Sequence, residues 1–171
     1  YFSTSLEVPV VGGGLEVRSK DQDFAISKKL FLKASHDSAF AASVTKETHI
    51  GFVVSECKTN LDKTMFQEAC ATAHDVKAAV SGARYYLLCE WLDMTPLSTA
   101  PTDIDEILLL RKAKRINSNV RAKYANFAGR KANREAYLGY LKSNHFREEV
   151  FARLISHIRG ILRNEAPVET D

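Results

Sequence analysis

The sequence predicts an α/β domain with a mixed central sheet flanked by helices. Three observations carry that expectation. An alternating apolar run begins at Asp23–Phe24; a continuous apolar run, Ile50–Lys58, leads directly into a helix-spaced segment; and a further strand-forming run, Arg84–Met94, follows that segment. Strand, helix and strand in that order predict parallel neighbours joined by a right-handed crossover, with the helix on one face of the sheet.

Each element has its own warrant. Residues 1–14, ending in Gly12-Gly13-Gly14, hold no sustained period and read as an entry segment. Phe24, Ile26, Leu30, Leu32 and Ala34 share one face of an alternating run, with Ser27, Lys29 and Lys33 on the other, as in a half-buried strand. Ser35–Glu47 is small and polar, and loop, short helix and short strand all remain open for it. Ile50–Lys58 is apolar until its polar end, the pattern of a central strand whose tip emerges into a cleft. Asn60 or Asp62 can cap the helix that follows, and Met65, Phe66, Ala69, Ala73, Val76 and Val80 keep its spacing until Gly82 stops it. Arg84–Met94 ends at Thr95-Pro96, Ser98–Asp105 is a loop, and Ile107–Leu110 is either an edge strand or a buried helix turn. Two amphipathic helices are expected at Arg130–Asn144 and Phe146–Asn164, the second with Val150, Phe151, Leu154, Ile155, Ile158 and Leu162 in one stripe.

At 171 residues the chain is expected to be one domain, with a core over about 16–110 and a basic, helical part over about 111–171. It starts at Tyr1 rather than Met and so reads as a piece of a longer chain. No apolar stretch is long enough to span a bilayer, and three cysteines without C-x-x-C spacing are expected as reduced thiols in a cytoplasm. The five histidines form no i, i+4 pair, which argues against zinc; no nucleophile elbow or phosphate loop is present.

Charge is unevenly placed. Residues 1–110 carry 10 Lys/Arg against 15 Asp/Glu, residues 111–134 carry 9 Lys/Arg and no acid, and residues 135–171 carry 5 against 6. Nine cations without an acid repel one another unless a polyanion lies among them. Arg111, Lys112, Lys114, Arg115, Arg121, Lys123, Arg130, Lys131 and Arg134 are therefore expected to contact DNA, with neighbouring asparagines able to read base edges. A solvated helix face is the plainer alternative.

Chemistry concentrates at Glu56-Cys57-Lys58. Alternation puts Glu56 and Lys58 on one strand face and Cys57 on the other. An isolated acid and lysine two apart are usually a solvated pair, but these end an apolar strand and precede a capped helix. Phosphodiester hydrolysis needs a hard cation held by carboxylates and a group that orients water and offsets phosphate charge. Glu56 suits the first task, and Lys58 suits the second, either orienting the water or helping to deprotonate it. Asp23 is the preferred further carboxylate, because antiparallel pairing of its strand with Ile50–Lys58 would set it beside Glu56. Asp37 is its rival, through a hairpin at Thr45–His49.

The stretch Glu56-Cys57-Lys58-Thr59-Asn60-Leu61-Asp62-Lys63-Thr64-Met65-Phe66-Gln67-Glu68-Ala69, with Leu88–Pro96 beyond it, resembles the PD-(D/E)XK nuclease superfamily over residues 16–96. Within it the chain is similar to type II restriction endonucleases near the BbvCI and DdeI group, although no Pro precedes Asp23 or Asp37. The resemblance implies a restriction-endonuclease-like core with C-terminal helices. It also implies Mg2+ held by Asp23 and Glu56, water served by Lys58, support from Gln67, and double-stranded DNA as substrate of a homodimer or heterodimer. Glu68 and Asp75 are expected as solvated helix charges. A non-catalytic DNA-binding or assembly module on this fold, and a nuclease acting on single-stranded or damaged DNA, are the alternatives.

Overall fold

In the computed structural model, described at residues 2–4, 14–17 and 19–165, the central element is a strand of 18 residues, β4 (Val44–Leu61). It pairs antiparallel with β3 (Phe24–Ala34) and parallel with β5 (Arg84–Leu92), and β5 pairs parallel with β6 (Glu106–Leu109). The four-stranded mixed sheet runs β3-β4-β5-β6. A separate two-stranded ribbon joins β1 (Phe2–Thr4) and β2 (Leu15–Val17), so the segment read as an entry connector holds a short strand; its residues 1 and 5–13 lie outside the described residues.

α1 (Lys63–Ala79) begins where Asp62, in extended backbone, accepts a hydrogen bond from the Met65 amide at 2.9 Å, so Asp62 rather than Asn60 is the cap. It ends before Gly82, whose φ of 82° is a left-handed conformation that an L side chain rarely adopts. One helix face, Phe66, Ala69 and Ala73, packs with Val54, Leu61, Tyr85, Leu87 and Cys89 of β4 and β5. The other sheet face carries Val53, Tyr86 and Leu108, covered by α5 (Glu148–Glu165) through Val150, Leu154, Ile158 and Ile161. Helices thus lie on both faces of a sheet whose central strands are apolar on both sides, as parallel pairing requires. Each fully buried Val or Leu there contributes roughly 1.5–3 kcal/mol.

The open assignments resolve simply. Ser35–Glu47 is a turn followed by the start of β4, and Ile107–Leu109 belongs to edge strand β6, with Leu110 just beyond it. The helix expected over Arg130–Asn144 is two, α3 (Phe127–Ala132) and α4 (Arg134–Ser143), broken at Asn133. They follow α2 (Ser118–Arg121) and a single 3-10 turn, Ala122–Tyr124. The α5 stripe is only partly covered: Phe151, Ile155 and Leu162 remain exposed. Tyr85, Tyr86 and Trp91 are all buried, as core aromatics should be.

Candidate active site

The antiparallel register sets Phe24 opposite Ser55, so Asp23 lies one step further on, opposite Glu56. Its Oδ2 accepts a hydrogen bond from the Cys57 amide at 2.7 Å. Its negative charge helps to raise the pKa of Lys58 and Tyr85. Asp23 therefore meets β4 beside Glu56 through the strand pairing anticipated for it, although β4 runs on to Leu61 and does not end at Lys58 as expected.

Asp37 does not. It sits in the turn beyond Ala34, while Thr45–His49, the proposed hairpin, is part of strand β4. From Val44, at the turn end of β4, to Glu56 is 12 residues, or roughly 40 Å at ~3.3 Å per residue. The Asp37 carboxylate instead closes its own turn, accepting from Ser35 Oγ at 2.7 Å and from the Ala41 and Ala42 amides.

Glu56 and Lys58 leave the same strand face, and Glu56 Oε1 lies 2.6 Å from Lys58 Nζ. The other oxygen, Oε2, accepts from Tyr85 Oη at 2.5 Å. Tyr85 is fully buried on neighbouring β5, and burial, then the hydrogen bond to Glu56, pushes its pKa up, so it stays a donor. Lys58 is also raised, first by its hydrogen bond to Glu56 and further by the charges of Glu68 and Asp23. It stands as an ammonium, suited to holding a water or a phosphate oxygen rather than to removing a proton.

Gln67 is exposed on α1, and its side chain has no hydrogen-bond partner among the described residues. The charge felt by Lys58 from that helix is Glu68, one residue on, which had been read as merely solvated. Tyr85 is both a core residue and the partner of Glu56. Its role is not signalled locally, because it depends on the parallel register that sets Val54 opposite Tyr85.

The nine cations divide. Arg111 is 7% exposed and leaves the DNA-contacting set: it pairs with Glu90 at 2.9 Å, lies over the rings of Trp91 and Phe146, and donates to the carbonyls of Leu141 and Asn144. Lys112, Lys114 and Lys123 are exposed, with Lys112 3.7 Å from Glu149. Arg115, Arg121, Arg130, Lys131 and Arg134 line one cavity of about 820 Å3, which also reaches Thr59 at the β4 tip.

No group of three or more His, Cys, Asp or Glu among the described residues forms a ready metal cage. Mg2+ needs no such cage, since one or two carboxylates together with water and substrate phosphate can complete its oxygen shell. Asp23, with one oxygen uncommitted to Cys57, and Glu56 fit that requirement.

The family model for the Bpu10I restriction endonuclease matches residues 1–171. The chain belongs to the Bpu10I restriction endonuclease family. Among solved structures, the native BbvCI A2B2 tetramer contains a chain 25% identical to this Bpu10I-family member, with a TM-score of 0.54. The match covers 85% of this chain and 56% of that one, so the chain spans a little over half the neighbour's length. The mixed four-stranded sheet with flanking helices is the fold they share. No curated protein matches.

Proposed function

We propose that this chain carries the catalytic core of a Mg2+-dependent type II restriction endonuclease that hydrolyses double-stranded DNA at a specific site in the cytoplasm. The observation that carries the reading is the convergence of Asp23, Glu56 and Lys58 in the C-terminal third of β4, in a chain whose whole length matches a restriction endonuclease family. Cutting two strands takes two such sites, and the tetrameric neighbour supports a dimer or a pairing with a second, different subunit.

Bound between Asp23 and Glu56, Mg2+ would supply a Lewis acid for the phosphate oxygens. The residues do the rest. Tyr85 holds Glu56 in one orientation, which keeps its carboxylate aimed at the cleft. Lys58 orients the attacking water in line with the scissile bond and offsets charge as the new P–O bond forms and the leaving oxygen departs.

The test is cleavage of plasmid DNA with and without Mg2+ by the wild type and Glu56→Ala. Discrete fragments that vanish in Glu56→Ala, with DNA retained in a mobility shift, are expected. A smear would mean a processing nuclease, and intact plasmid with DNA still bound would mean a binding module; either would overturn the proposal.

A further inference from the structure

The cavity beside the β4 tip has a lining that phosphate contact alone does not explain. Its floor is Trp91, with Tyr140 stacked on it at 5.3 Å between centroids. Tyr124 and Tyr137, 5.2 Å apart and tilted, also line it, and Phe127 stands at it 74% exposed. Five aromatic rings around about 820 Å3 fall within the size of sites that take a small organic group, roughly 300–1,000 Å3.

The charge is equally one-sided. Of the cations that line it, the side chains of Arg115, Lys131 and Arg134 have no hydrogen-bond or ion-pair partner among the described residues. The only acid in the lining, Glu90, is already paired with Arg111. Unpaired cations around aromatic faces call for a ligand that is at once anionic and flat, which is a nucleotide within a strand.

Position completes the argument. Thr59, next along β4 after Lys58, lines the cavity, and alternation sends its side chain to the face opposite Lys58. The cavity therefore takes in the residue next along β4 from Lys58. A base inside a duplex cannot enter such a pocket without leaving its stack, at a cost of a few kcal/mol that stacking on protein rings can offset.

We propose that this cavity receives a nucleotide extruded from the duplex, its base against the Tyr124, Phe127 and Tyr137 rings and its flanking phosphates on Arg115, Lys131 and Arg134. The inference rests on the nuclease reading in one respect, that DNA is the substrate. It concerns how the duplex is held and not which bond is cut.

The test compares, in buffer without Mg2+, a fluorescent duplex and the same duplex with one extrahelical thymine. The wild type is expected to bind the bulged duplex roughly fivefold tighter or more, because one base is already free to stack. Phe127→Ala and Arg134→Ala, both of exposed residues and checked for unchanged unfolding temperature, are expected to reduce that preference at least threefold. Phe31→Ala, on the exposed β3 edge, should leave it intact. Equal affinity for the two duplexes, or a preference that survives in both cavity variants, would overturn the proposal. Because cleavage is not measured, a protein that cuts plasmid yet ignores the bulge sinks this inference alone; one that prefers the bulge yet never cuts sinks only the catalytic reading.

Discussion

Tyr85 and Lys58 together occupy both oxygens of Glu56, so the carboxylate is held before any ion arrives. Tyr85→Phe removes one of those holds without changing the core volume much, and groups that orient metal ligands are commonly worth 10–100-fold in affinity. A Mg2+ titration of cleavage by Tyr85→Phe should show half-saturation shifted upward by about tenfold; an unchanged titration would show that Lys58 alone suffices. At this scale the sequence was informative where placement follows the strand's own alternation, as for Glu56 and Lys58. It was silent where a residue acts across the sheet: Tyr85 reads as an aromatic core position until β5 is laid beside β4. Gln67 and Glu68 are both exposed on α1, and the charge of Glu68 is the one felt by Lys58.

At the scale of elements, the β3–β4 turn has a pH signature. The bond from Ser35, then those from the Ala41 and Ala42 amides, hold the Asp37 pKa at about 2, below the ordinary 3.8. A depressed folded pKa means that the turn's stabilisation is complete above about 3.8 and disappears as pH falls through about 2. A carboxyl-carbon NMR titration should place the Asp37 midpoint near 2, and a midpoint near 3.8 would mean that the carboxylate does not close the turn. The turn's location was the part the sequence left open, since Ser35–Glu47 lacks the apolar period that marks elements. By contrast, β3 was legible from its alternation, and α1 and β5 from their patterns and from Asp62 and Gly82 at their boundaries, while β4 was legible as a strand but runs past the expected Ile50–Lys58 at both ends. The single helix expected over Arg130–Asn144 failed because nothing in its apolar spacing marks the break at Asn133, whose side chain donates to the Gly129 carbonyl at 2.8 Å.

For the whole molecule, Arg111 joins the layers. It ties Glu90 of β5 to the C-terminal end of α4 at Leu141 and Asn144, between two aromatic rings. Arg111→Ala strips a half-buried carboxylate of its partner, which for buried pairs costs about 3–5 kcal/mol, and should lower the unfolding temperature by roughly 6–15 °C. A scanning-calorimetry loss of under ~2 °C would contradict that role. The charge block had been read as one surface, because a count of cations does not separate a buried arginine from exposed ones. Removing Arg111 from the nine leaves eight cations proposed to contact DNA. Lys131→Ala should make the slope of log affinity against log salt shallower by about 1, measured on plasmid-length DNA without Mg2+. An unaltered slope would exclude Lys131 from phosphate contact.

The helices from Ser118 to Ser143 contribute no buried residue, although they form most of the wall around the aromatic cavity. A segment so lightly anchored opens at a free energy well below that of the sheet. Its exposed Lys123, Arg130, Lys131 and Arg134 are also the bonds trypsin prefers, so limited proteolysis should nick this wall first and spare β3–β6. A ligand that binds only the closed wall must slow the nick, by roughly 100-fold at a concentration 100 times its dissociation constant. The wall thereby becomes a gauge of its own occupancy: the rate at which a protease enters would report how often the proposed nucleotide is held there, even in Glu56→Ala.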